Sequence, residues 1–255
     1  MGAVEHNQIE AVSPLFAEIQ AQYGAAFDAA LARNVADALA EDVGAGDQTG
    51  RLVPADDMRD ARIIVREDAV LCGVPWFNAV MRQVDPRIDL RWRYREGDRM
   101  TADTPVCELH GPVRALLTGE RNALNFLQLL SGVASATRRY VDAIAHTQTR
   151  VLDTRKTLPG LRLAQKYAVR VGGGANQRLA LYDGILIKEN HIAAAGGVGA
   201  AMDAALALNA GVSIQIEVET LAQLEIALFQ LVGEIADLLF ERGHAGHIAW
   251  RRGRR

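Results

Sequence analysis

The chain has 255 residues, 49% of them hydrophobic and 23% charged, with a formal net charge of −3. This composition excludes disordered and fibrous classes and is sufficient for a substantial core. Two cysteines, Cys72 and Cys107, exclude a disulfide framework, and no Cys/His cluster reads as a zinc site.

No basic region followed by an apolar block opens the sequence, and the apolar stretch 192–214 is interrupted by Asp203 and Asn209. A cytoplasmic chain without a membrane partner is the expectation. The last fourteen residues, 242–255, hold five arginines and no acid. The rest is strongly acidic and little aromatic interleaving accompanies those arginines, so no nucleic-acid partner is expected either. Of the 28 basic residues only three are lysines, Lys156, Lys166 and Lys188, and all fall within one 33-residue window. Lysine binds phosphate as a point charge where arginine binds as a flat fork. The clustering therefore hints at ammonium groups required in one place, although Lys166 reads as a solvated helix residue.

Taken in chain order, residues 12–41 carry helical periodicity and end in the polar loop EDVGAGDQTG. Four segments then read as strands: ARIIV, AVLCGV, IDLRWRYRE and PVCEL, with a short helix over PWFNAVMRQV. In the third, Ile88, Leu90, Trp92 and Tyr94 share one face, as in a half-buried antiparallel strand. A long helix is predicted from a Thr118 N-cap, with a second at 134–146. From residue 150 strands and helices alternate: strand 150–154, helix 161–170, strand 184–188, helix 197–209, strand 213–219 and helix 221–240. Such alternation predicts parallel strands with right-handed crossovers. The expected architecture is α/β: a sandwich-like α+β domain over 1–116, then an irregular, incomplete parallel α/β barrel over 117–255 whose tail, 229–255, is atypical.

In βα barrels chemistry gathers at the C-terminal ends of the strands. Those ends here carry Asp153, Arg155 and Lys156, then Lys188 and Glu189, then Glu217 and Glu219. Gln215, Glu217 and Glu219 share a face opposite Ile214, Ile216 and Val218. The loop VGGGANQR, 171–178, offers bare backbone for close approach to an anion and ends in Arg178. Arg121, Asn125 and Gln128 form a polar stripe on the long helix. That stripe suits either a solvated face or a subunit interface. His191 is given no catalytic role. The sum is a polyanion site. No P-loop, dinucleotide fingerprint or nucleophile elbow is present.

The strings EDVGAGDQTG, GVPW, LLTGERNALNFLQLLSGVA, DTRKTLPGLRLAQKYAV, GGGANQRLALYDGILIKENHI and IEVETLAQL together resemble the quinolinate phosphoribosyltransferase family, from about residue 35 to 228. The resemblance implies a homodimer. It also implies a reaction in which quinolinate and phosphoribosyl pyrophosphate give nicotinate mononucleotide, pyrophosphate and carbon dioxide, with Mg²⁺. On the matching positions, Arg121 reaches the partner's site, Arg155 and Arg178 clamp the dicarboxylate and Lys188 assists. Lys156 meets the phosphates, and Glu217 faces the ribose and the metal. Gln177 stands where the family usually carries His, so weaker quinolinate affinity is expected.

After about residue 228 the family's LDNF and SVGALTH strings have no counterpart, and a truncated or altered chain of low or absent turnover is expected. A molybdenum-transport-associated paralogue, and an inactive chain kept for binding or dimerisation, are alternatives that share the basic strings.

Overall fold

A computed structural model describes residues 13–230, and these fall into two compact units divided between Leu179 and Ala180. The tail beyond 230, including the amphipathic helix expected through Leu231, Ile235, Leu238 and Leu239, lies outside the described residues.

The first unit opens with two helices where periodicity suggests one. Helix α1 (Pro14–Tyr23) starts on a Ser13 cap, whose side chain accepts from the Leu15 amide at 3.2 Å, with proline in its first turn. Gly24 then takes φ +54°, a conformation side chains resist, and α2 (Ala25–Asp42) leaves in a new direction. The break seats Phe16 and Phe27 against Trp76 and Tyr167, with ring centroids 5.5–6.0 Å apart. Tilted and edge-on contacts of this kind add about 0.5–1.5 kcal/mol each beyond area burial.

Strand β1 (Met58–Ile64) pairs antiparallel with β5 (Pro105–Pro112), which pairs in turn with β3 (Asp89–Trp92). A separate two-stranded ribbon joins β2 (Ala69–Val70) to β4 (Arg99–Met100). Trp92 and Ile88 are buried while Arg91 and Arg93 are exposed, as the alternation requires. Both cysteines are free and fully buried in this core. Burial pushes the Cys107 thiol up to about 12 and the Cys72 thiol well up, so neither serves as a nucleophile.

Helix α3 (Val74–Val84) begins at Gly73, whose φ of +108° side chains resist and where a Cβ would crowd the Phe126 carbonyl at 3.2 Å and Leu127 Cα at 3.3 Å. The predicted Thr118 cap is replaced by an earlier start. Helix α4 (Val113–Ala143) follows directly from Pro112 and absorbs the start of the second predicted helix. Thr118 lies inside it, where its hydroxyl reaches the Arg114 carbonyl one turn back and the Asp47 carboxylate at 2.8 Å. Helix α5 (Arg162–Val171) packs across α4.

In the second unit β6 (Gly184–Ile187) and β7 (Ser213–Ile216) run parallel and in register, Gly184 beside Ser213 through Ile187 beside Ile216. The crossover carries α6 (Glu189–Ala195) and α7 (Val198–Ala207), and a further helix occupies 221–230. Ile187, Ile192, Val198, Met202 and Ala227 form its core, with Ile214, Ile216 and Val218 packed on one side. The strand expected at 150–154 is reduced to a single parallel bridge, Leu152 to Ala175. Leu152 is exposed there, and side chains rather than a strand ladder hold the segment.

Candidate active site

The segment 151–153 makes a parallel bridge to Ala175, with the Ala175 amide on the Val151 carbonyl at 2.8 Å and the Asp153 amide on the Ala175 carbonyl at 3.1 Å. Asp153 fastens the two. Its Oδ1 accepts from Lys166 Nζ at 2.6 Å and from the Gln177 amide at 2.8 Å, and its Oδ2 accepts from Asn176 Nδ2 at 2.7 Å. The Lys166 side chain is only 1% exposed and that of Asp153 6%. The solvated helix position expected for Lys166 is thus overturned. Helix α5 is buried on more than one side, and Lys166 lies roughly 200° around its axis from the equally buried Ala164. An ammonium can occupy such a position only with full compensation, and Asp153 plus the Gln177 carbonyl at 3.0 Å supply it.

Beyond Asp153 the chain turns. The Lys156 amide donates to Thr154 Oγ1 at 3.0 Å, the Thr157 amide to the Arg155 carbonyl, and the Leu158 amide to Gln165 Oε1 at 2.7 Å. Asn34 Nδ2 holds the Gly160 carbonyl that closes the loop. Lys156 is left exposed and Arg155 half-buried. Arg155 Nε is buried and donates to nothing among the described residues, an arrangement that costs about 1–3 kcal/mol unless an acceptor arrives. Gln177 and Arg178 are half-buried on the neighbouring loop.

Two glycines of that loop are required by packing. A Cβ on Gly172 would meet the Ala134 carbonyl at 2.6 Å, and one on Gly174 would meet Val169 at 2.8 Å. Bare backbone is needed so that the end of α5 can lie against α4, where Arg138 also donates to the Gly172 carbonyl at 3.0 Å.

Arg121 is exposed on α4 together with Asn125 and Gln128, so the stripe expected from helical spacing is present. In the second unit Lys188 Nζ donates to Glu217 Oε2 at 2.8 Å, with side chains 42% and 54% exposed. The sequence KENHI is explained locally. The Lys188 amide donates to His191 Nδ1 at 3.0 Å and the Lys188 carbonyl accepts from the His191 amide, so His191 fixes the backbone that presents Lys188. Gln215, Glu217 and Glu219 lie on the exposed face of the β7 segment, opposite the packed Ile214, Ile216 and Val218. Glu217 therefore stands paired with an ammonium. Among the described residues no group of three or more metal-ligating side chains gathers at it or elsewhere.

A second buried acid, Glu96, lies outside these loops. Its Oε1 accepts from the Gly73 amide at 2.5 Å and the Val74 amide at 3.0 Å, capping α3, while Oε2 meets the Tyr167 hydroxyl. Burial pushes the carboxyl up to about 8 against the lowering effect of the two amides.

A unit built on an antiparallel sheet, followed by a unit with a parallel β6–β7 crossover, defines a mixed α/β chain. Two family models match it: quinolinate phosphoribosyl transferase, N-terminal domain, over residues 47–131, and quinolinate phosphoribosyl transferase, C-terminal domain, over 133–238. The second match runs past residue 228. The chain is 41% identical over 189 residues to a probable carboxylating nicotinate-nucleotide pyrophosphorylase of Bacillus subtilis, covering 74% of this chain and 65% of that one. It is 38% identical over 197 residues to the decarboxylating quinolinate phosphoribosyltransferase 1b of Nicotiana tabacum, covering 75% and 56%.

The solved nicotinate-nucleotide pyrophosphorylase from Francisella tularensis superposes with a TM-score of 0.76 at 44% identity, covering 79% of this chain and 71% of that one. The chain belongs to the quinolinate phosphoribosyltransferase family. It spans between 56% and 65% of the length of the first curated relatives it matches. No helix among the described residues is long and apolar enough to cross a membrane.

Proposed function

We propose that the chain takes quinolinate and phosphoribosyl pyrophosphate to nicotinate mononucleotide, pyrophosphate and carbon dioxide, the family's step in de novo NAD biosynthesis. The observation that carries this reading is the buried, unpartnered Arg155 Nε on a loop anchored by Asp153 and Lys166. A carboxylate there would accept from a donor already desolvated and oriented, which is where an ionic hydrogen bond is strongest.

In this reading Arg155 and Arg178 grip the two carboxylates of quinolinate, Gln177 adds a neutral hydrogen bond, and Lys188 assists. Lys156, exposed beside Arg155, meets the phosphates. The ring nitrogen of quinolinate attacks C1 of the ribose as the bond to pyrophosphate breaks. Positive charge grows on the sugar while negative charge grows on the leaving group, so Lys156 acts on the latter and Glu217 on the former. The C2 carboxylate then leaves as carbon dioxide, its electron pair passing to the ring carbon, which takes a proton from solvent. Mg²⁺ would enter with the phosphoribosyl pyrophosphate substrate and offset the charge of the leaving group, and Glu217 would be the residue to face it. The exposed stripe of Arg121, Asn125 and Gln128 suits a homodimer in which Arg121 completes the neighbouring site.

The test is release of carbon dioxide from quinolinate labelled at the C2 carboxylate. Release that requires phosphoribosyl pyrophosphate and drops at least 100-fold in Arg155→Ala is expected. Absence of release from the parent chain, or release indifferent to Arg155, overturns the reading.

A further inference from the structure

We infer that Lys166 is a positioning residue that sets the spacing of the dicarboxylate clamp; this rests on the quinolinate reading above. The Gln177 backbone is held on both sides of its Cα by one ion pair: its amide donates to Asp153 Oδ1 and its carbonyl accepts from Lys166 Nζ. Asn176, one residue earlier, donates to Asp153 Oδ2 at 2.7 Å and to the Lys166 carbonyl at 3.0 Å. Asp153 is two residues from Arg155, and Gln177 adjoins Arg178. The distance between the loop bearing Arg155 and the loop bearing Arg178 is therefore fixed by a pair of nearly buried side chains.

A rigid ortho-dicarboxylate needs that distance fixed, since its two carboxylates cannot adapt to a loose clamp. A monocarboxylate needs only one cation and is indifferent to it. Lys166 thus governs discrimination between quinolinate and nicotinate without contacting either. Its helix position follows from the same logic: a long flexible side chain from α5 reaches the carboxylate of one loop and the carbonyl of the other.

The experiment compares the full chain with Lys166→Met, using calorimetric titration of quinolinate and of nicotinate, and hydrogen exchange at the amides of Asp153, Ala175 and Gln177. Quinolinate affinity is expected to fall at least tenfold while nicotinate affinity changes less than twofold, and exchange at the three amides is expected to rise at least tenfold while the amides of α4 stay protected. Asn176→Ala, which removes two of the bonds without stranding a charge, should move both readouts the same way by about threefold. It stands in if Lys166→Met does not fold. Val106→Ala, a buried core lesion away from the loops, lowers stability and should leave the quinolinate-to-nicotinate ratio unchanged. An equal loss for both ligands, or unchanged exchange at the three amides, overturns the inference. Should the parent chain bind no quinolinate, the functional reading falls, and the positioning role of Lys166 is then decided on the exchange data.

Discussion

Two lysine–carboxylate pairs sit in the two units, at nearly the same distance and with opposite meanings. Lys166 and Asp153 are 2.6 Å apart with side chains 1% and 6% exposed; Lys188 and Glu217 are 2.8 Å apart with side chains 42% and 54% exposed. The first pair has given up its water and is satisfied by further bonds from Asn176 and Gln177, so it is architecture. The second keeps its water, contributes little to folding, and stays available to a substrate. Charge that holds a loop is buried and saturated; charge that meets a ligand is left partly exposed or, as with Arg155 Nε, left one acceptor short.

Glu96 sharpens that contrast because it is a buried carboxyl with no cation beside it. Its folded value of about 8 lies above the ordinary value of 4.5. The folded state therefore binds the extra proton between those limits: stability is fullest below about pH 4.5 and is lost as pH rises through about 8. Glu96→Gln keeps an oxygen for the Gly73 and Val74 amides and carries no charge. Denaturant unfolding should show the variant near parity with the parent at pH 4 and more stable at pH 9, by up to about 5 kcal/mol at about 1.36 kcal/mol per pH unit. A parent whose stability is flat from pH 5 to 9 would contradict it.

Removing Lys166 as Lys166→Met strands Asp153 in the interior and should reduce stability by about 3–5 kcal/mol, as breaking a buried pair does. The same operation on the exposed pair, Glu217→Gln, should change stability by less than about 1 kcal/mol. Parallel urea titrations check both. Comparable losses at the two sites would erase the distinction between them.

Much of this was legible in the sequence. The antiparallel alternation of 88–94, the parallel units after 184 and the cationic strings were all there to read. The parity of Ile88, Leu90, Trp92 and Tyr94 even continues to Glu96, the buried acid, although a charged residue beside Gly97 reads more naturally as part of a turn. Lys166 was marked only by its rarity. Periodicity assigns one buried stripe to a helix, and α5 is covered on opposite sides. The strand at 150–154 failed because five apolar and polar residues in a row cannot say whether a neighbour exists to pair with them. Thr118 carries a good capping side chain, but the helix had already begun at Val113, and the hydroxyl turns back to the Arg114 carbonyl instead.

The most direct test of the clamp is calorimetric titration of quinolinate into the full chain and into Arg155→Gln. Saturable binding by the parent, weakened at least tenfold in the variant, is the predicted result. No binding by the parent, or equal affinity in the two proteins, would contradict the account.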